Sequence, residues 1–197
     1  MQTPPVYYPV FLDLRGRSCL VIGDGELADE KARSLEEAGA RVLRSRTFDP
    51  EVSDVFLIVA ATSDTGLGRR IKEFADRKGI LVNVVDQTPN CGFIVPAIAR
   101  RGDLVLAIST SGKSPALARK IRKQLEAQFG PEYADLVQAL GEVRPLVKER
   151  LGSFRERSEY YNRMVRNPDL LEIARCRGAA AVRSRLERAL RQEEGLP

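Results

Sequence analysis

Three stretches of this chain gather residue types that have chemistry to offer. The first is Val21-Ile-Gly-Asp-Gly-Glu-Leu-Ala28, a GxGxxA pattern. Gly23 permits a tight turn, Gly25 lets main chain approach a pyrophosphate, and Ala28 lets a helix pack closely on a strand. A helix beginning at Glu26 and Leu27 adds unpaired N–H groups and the positive end of its dipole. This is equipment for holding a phosphorylated dinucleotide, although a strand-to-helix turn that binds nothing looks the same. The second stretch is Asn83-Val-Val-Asp86. A carboxylate after an apolar run is the natural proton acceptor where no imidazole exists, and it serves equally as a turn or cap residue ahead of Pro89. Asn83 can hydrogen-bond a ligand or cap the strand. The third stretch, Ile108-Ser-Thr-Ser-Gly-Lys-Ser-Pro-Ala-Leu-Ala-Arg119, is a polar turn feeding a basic helix. Ser111 and Ser114 can donate to a carboxylate, and Lys113, Arg119, Lys120, Arg122 and Lys123 can pair with one. Ser114 ahead of Pro115 is also a helix cap.

These groups need a scaffold that brings strand ends together. Ser18–Ile22 is a short apolar run closed by glycine and predicts a buried strand. Helical spacing follows over Glu26–Ala38, then a strand at Arg41–Arg44. Val55–Ala61 is the strongest buried strand, Leu67–Lys78 is a helix stopped by Gly79, and Leu81–Val85, Phe93–Ala97 and Leu104–Ser109 are further strands. Strands alternating with helices imply an α/β domain with a mostly parallel sheet covered on both faces. The link from 44 to 55 is about ten residues, a reach of roughly 33 Å when extended. That leaves no room for the usual third strand of a dinucleotide-binding half, so an abbreviated sheet is expected. Beyond Pro115 the pattern is helical throughout: 116–129, 133–151 with Pro145 inside, 156–165 and 168–193.

The segment Ala60-Ala-Thr-Ser-Asp64 leaves the strongest strand at the sheet rim, so Ala61 and Thr62 are candidates to line a nicotinamide site. No acidic residue stands about twenty positions after the glycine turn, where one would hold a ribose 2′-hydroxyl. That region reads Leu43-Arg-Ser-Arg-Thr47. Arg44 or Arg46, with Thr47 beside it, could instead receive a 2′-phosphate, or the two arginines are simply solvated.

Composition excludes several classes. With 43% hydrophobic and 30% charged residues the 197-residue chain can build a core. No apolar run spans a bilayer and no secretory leader is visible, which predicts no membrane partner. Histidine is absent, and the three cysteines, Cys19, Cys91 and Cys176, form no CxxC pair. That argues against a structural metal site and against imidazole chemistry, and the odd thiol count suits a reducing cytoplasm. Residues 1–112 carry 14 basic and 15 acidic side chains, and residues 113–197 carry 18 and 12. The basic excess in the second half suggests a polyanionic partner, or a solvated helical surface. Nucleic acid is disfavoured, because few aromatics interleave with the basic residues.

Taken in order, the glycine turn, AATSD, NVVD, FIVP and the Ser109–Ser114 turn, with the lead-in Tyr8-Pro-Val-Phe-Leu-Asp-Leu-Arg-Gly-Arg17, resemble precorrin-2 dehydrogenase, the dehydrogenase and sometimes chelatase module of sirohaem synthases. The likeness runs from about Tyr8 to Leu151. It implies a cytoplasmic, homodimeric oxidoreductase of sirohaem biosynthesis that uses NAD to convert precorrin-2, a tetrapyrrole polycarboxylate, to sirohydrochlorin. A bifunctional dehydrogenase and ferrochelatase (a lyase) is the alternative, and a nucleotide-sensing or nucleic-acid-binding regulator a more distant one. Asp86 matches the family's catalytic aspartate, and Ser109, Thr110, Ser111, Lys113 and Ser114, with Arg119, match its substrate cleft. The resemblance implies an NAD-binding domain over 1–112, a dimerisation and substrate region over 113–150 and helices over 151–197, in a stand-alone form. The chain departs from the family at Asp24, where a third glycine is usual, in the short 47–54 connection, and in the single glycine of Ser111-Gly-Lys113.

Overall fold

The computed structural model describes residues 6–193. Its first compact unit comprises the chain to Val95 together with Ser111–Ser114. There β1 (Ser18–Ile22), α1 (Gly25–Glu37), β2 (Arg41–Ser45), β3 (Leu57–Ala60), α2 (Thr65–Lys78) and β4 (Leu81–Val84) follow in order. The four strands are all parallel, in the order β2-β1-β3-β4. Among the described residues no strand lies outside β2, so the sheet is the abbreviated one expected. β1, β3 and β4 are buried along almost their whole length because both faces are covered, whereas the edge strand β2 (RVLRS) is largely exposed. Cys19, Leu57 and Val59 face one side, with Val21 against Ala28 and Ala32 of α1. Leu20, Ile22, Ile58, Val82 and Val84 face the other, against Ile71, Phe74 and Ala75 of α2. The 46–56 connection takes the place of a crossover helix. Phe48 and Val52 pack on the second of these faces, Phe48 meeting Phe74 edge-on at 5.3 Å between ring centres.

Phe93–Ala97 is not a strand. The N–H groups of Gly92 and Phe93 both donate to Val82 O, at 2.7 and 3.4 Å, which folds this segment over the end of β4. The fifth strand is β5 (Ala97–Arg101), paired antiparallel with β6 (Leu104–Ile108) in a separate two-stranded sheet. Both strands are half-exposed and β5 ends in two arginines, so the apolar-run criterion misplaces the first of them and assigns both to the wrong sheet.

The second unit is Pro96–Thr110 with the chain from Pro115 onward. The division therefore falls differently from the expected break at 112: the hairpin belongs with the helices. It holds α3 (Pro115–Gln128), α4 (Glu132–Arg150), α5 (Phe154–Arg166) and α6 (Pro168–Glu193). Arg101 of β5 caps the end of α3, its guanidinium donating to Phe129 O at 2.9 Å and Glu126 O at 2.8 Å. Pro145 is accommodated inside a continuous α4, and α6 is broken at Gly178 by a left-handed φ of 73°. Among the described residues no helix is long and apolar enough to cross a membrane.

The helical core centres on Val143, Val147, Leu170, Leu186 and Tyr160. Tyr160 is 1% exposed and donates its hydroxyl to Leu186 O at 2.9 Å. Burial, reinforced by neighbouring Tyr161, pushes its phenol up to about 12. The unfolded chain favours the phenolate, so the stability from the neutral phenol is intact below about pH 10. It is lost as pH rises through about 12. The helical circular dichroism is expected to fall across that window in step with phenolate absorbance. Tyr160→Phe should weaken this alkaline step and cost about 1 kcal/mol at neutral pH; an unchanged alkaline profile would refute the assignment.

Candidate functional site

The carboxyl ends of the four parallel strands are joined, one residue beyond each, by main-chain hydrogen bonds. Gly23 N donates to Ser45 O at 2.9 Å, Ala61 N to Ile22 O at 2.7 Å, and Val85 N to Ala60 O at 2.9 Å. Ser45, Gly23, Ala61 and Val85 thus stand side by side along one rim, and Asp86 follows immediately. The chain leaves β1 for β2 on one side and crosses to β3 on the other. The rim at β1 and β3 is therefore the topological switch point, where doubly wound sheets bind ligands.

Gly23 has φ +125°, and a Cβ there would lie 2.4 Å from Ala61 O. This close approach closes the floor of the rim. Gly25, with φ +75°, has nothing within 4 Å of the position its Cβ would take, which leaves a cradle beside the first turn of α1. Asp24 is the N-cap residue of α1 yet makes no side-chain cap bond. At α2, by contrast, Asp64 Oδ1 accepts from Gly66 N at 2.8 Å and Leu67 N at 3.0 Å. The first turn of α2 is served by its own side chain, whereas that of α1 is left for an outside anion. Glu26 and Leu27 are exposed in that turn, and Ala28 is fully buried against Val21. These features fit the pyrophosphate of a dinucleotide.

Asp86 is exposed and left-handed, with φ +60°. Gln87 N donates to Val84 O at 3.1 Å, closing a tight turn whose third residue is Asp86, a place that favours glycine or asparagine. Aspartate is one of the few side chains besides glycine and asparagine that adopt this conformation. Among the described residues no donor or cation pairs with its carboxylate, and the short 310 turn Thr88–Asn90 has Gln87 as its N-cap. Asp86 is therefore a turn residue without a capping task.

Two residues that sequence reasoning did not single out hold this turn. Gln87 Nε2 donates to Thr62 O at 3.0 Å and Gln87 Oε1 accepts from Asn90 Nδ2 at 2.8 Å, tying the segment after β3 to the turn after β4. Gly68 makes room for it, since a Cβ there would lie 2.3 Å from Gln87 Oε1. Cys91 Sγ lies 3.3 Å from Val84 N and 3.2 Å from Val84 O. The only sequence signal was adjacency to Asp86. Asn83 is 8% exposed and its amide donates to Phe93 O at 3.0 Å, so it secures the 91–93 segment beneath the site.

Gly112 brings the serine turn to the same rim: a Cβ there would lie 3.5 Å from Thr88 Oγ1. Ser111 is left-handed at φ +53°, Lys113 is exposed, and Ser114 stands just ahead of Pro115, the first residue of α3. Ser109, Thr110 and Arg119 belong to the second unit, where Arg119 is exposed on α3 and Arg122 pairs with Glu126 at 3.3 Å. At the other end of the rim, Arg44 is ion-paired with Asp29 of α1, while Arg46 and Thr47 are exposed just past β2. Among the described residues no three Cys, Asp or Glu side chains gather as a metal cage.

Comparison with known proteins agrees with this arrangement. Residues 10–43 and 42–97 match a family described as putative NAD(P)-binding, and residues 101–128 match the sirohaem biosynthesis protein central family. A siroheme synthase of Photorhabdus laumondii is 38% identical over 177 residues, 79% of this chain and 38% of that protein. One from Zymomonas mobilis is 35% identical over 179 residues, 80% of this chain and 38% of that protein. The chain thus spans 38% of the length of these curated relatives. A solved structure named SirC, precorrin-2 dehydrogenase, superposes with a TM-score of 0.72 at 26% identity, covering 94% of this chain and 100% of that one. The chain is thus similar to the NAD(P)-binding family over residues 10–97 and to the central family of sirohaem biosynthesis over residues 101–128, on a fold shared with that precorrin-2 dehydrogenase.

Proposed function

We propose that this protein oxidises precorrin-2 to sirohydrochlorin, with Asp86 as the proton acceptor. The observation that carries this reading is the single rim on which the Gly23–Ala28 turn, Ala61, Thr62 and Asp86 stand together. A nicotinamide dinucleotide, when bound, supplies the hydride acceptor. The main-chain N–H groups at Gly25, Glu26 and Leu27 hold its pyrophosphate, and Ala61 and Thr62 line its reactive end. Asp86 takes the proton that leaves with the hydride. The exposed turn Ser111–Ser114, with Lys113, offers donors and a cation to the carboxylates that fringe the macrocycle. The relatives' name, siroheme synthase, supports a second reading in which ferrous iron is inserted into the product, the displaced pyrrole protons again going to Asp86. The working form in this reading is a cytoplasmic homodimer, for which exposed Ile98 and Leu117 supply apolar surface.

Anaerobic incubation of precorrin-2 with the protein and dinucleotide is expected to convert the substrate chromophore to that of sirohydrochlorin while reduced nicotinamide accumulates in equal amount. No conversion by a folded, dinucleotide-binding sample would refute the dehydrogenase reading. Ferrous iron added to sirohydrochlorin tests the second reading separately.

A further inference from the structure

The residues beyond β2 decide which dinucleotide the rim accepts. A carboxylate at this place holds the adenosine ribose 2′-hydroxyl of NAD, whereas a guanidinium accommodates the 2′-phosphate of NADP. From Arg41 to Phe48 the chain has no acidic residue. The first one, Asp49, accepts from Glu51 N at 2.8 Å within its own turn. Arg44 is neutralised by Asp29, and the groove that both line also contains Glu26, Arg33 and Glu36, so acids balance its cations. Arg46 differs: it is exposed and, among the described residues, has no carboxylate partner.

Its position is also held. Ser45 O accepts from Gly23 N of the glycine turn at 2.9 Å, so Arg46 is one residue from a hydrogen bond to the pyrophosphate cradle. Ser45 Oγ donates to Thr47 O at 2.7 Å, and Thr47 N lies 3.2 Å from Ser45 Oγ, a local turn that fixes the backbone on both sides of Arg46. A planar guanidinium there matches a phosphate dianion with paired N–H donors.

We propose that this protein binds NADP in preference to NAD, with Arg46 receiving the 2′-phosphate. The proposal rests on the dinucleotide-binding reading above and departs from the NAD that family resemblance implies. It is tested without turnover, by titration calorimetry of the full chain with NADP, NAD and the fragment 2′,5′-ADP at one fixed salt concentration. NADP is expected to bind at least tenfold more tightly than NAD, and 2′,5′-ADP to compete with it. Arg46→Ala should weaken NADP at least tenfold, leave NAD within twofold and keep the wild-type melting temperature. Arg46→Asp should invert the preference. Arg44→Ala, the control, should leave the ratio unchanged. NAD binding as tightly as NADP, with a ratio indifferent to Arg46, would overturn the proposal while sparing the dinucleotide site. Failure of both dinucleotides to bind would overturn the underlying reading as well.

Discussion

Asp86→Asn is expected to lower the rate of precorrin-2 oxidation by roughly 100- to 10,000-fold, the range over which a positioned proton acceptor acts. The amide keeps the size of the carboxylate and tolerates the left-handed backbone at least as well, so the turn at φ +60° should survive. Dinucleotide affinity and melting temperature should then stay near wild type, and the whole effect should fall on turnover. Gln87→Ala separates chemistry from positioning. It removes the link to Thr62 O and releases the turn, so its activity loss should be smaller and accompanied by a lower melting temperature. Single-turnover rates measured with both variants check this. A normal rate in Asp86→Asn would remove the carboxylate from the mechanism.

Gly23→Ala is expected to be the most damaging single-methyl change in the first unit. The new Cβ would sit 2.4 Å from Ala61 O and 3.2 Å from Ala61 C, main-chain atoms that cannot rotate away. The backbone at φ +125° is itself unfavourable for a side chain. Overpacking alone costs about 1–3 kcal/mol, and the backbone strain adds to it. Against a domain stability of about 5–15 kcal/mol this should lower the melting temperature by many degrees and part the rim at β1 and β3. Gly25→Ala is the informative contrast. It meets nothing within 4 Å, so it pays mainly for its φ of +75°. The fold should persist while dinucleotide affinity drops at least tenfold, because the methyl group occupies the cradle. Thermal melts paired with dinucleotide titrations distinguish the two outcomes. Equal melting temperatures for both variants would contradict the packing argument.

Much of the first unit was legible in the amino-acid order because its signals are local. β1, β3 and β4 are short runs dominated by apolar residues, since burial on both faces leaves few polar positions (Ser18 and Asn83) to disguise them. Gly23 and Gly25 mark a turn whose backbone demands are met within six residues. The short link after β2 implied the missing strand by chain length alone, and β2 is indeed an edge. Residue types narrowed the proposed proton acceptor to a carboxylate, because the sequence has no histidine.

What only the tertiary structure decided depends on contacts between residues distant in the chain. β5 and β6 leave the sheet for a hairpin in the second unit, because pairing partners are chosen by geometry that half-exposed strands do not advertise. The pairing of Arg44 with Asp29 distinguishes two arginines that look equivalent in sequence. Asn83 turns inward to Phe93, and Gln87 spans from Thr62 to Asn90 to hold the turn that carries Asp86. Sequence periodicity reports which face of an element is buried. It does not report which side chain across the rim completes a hydrogen bond, and those bonds hold the turn that carries the carboxylate.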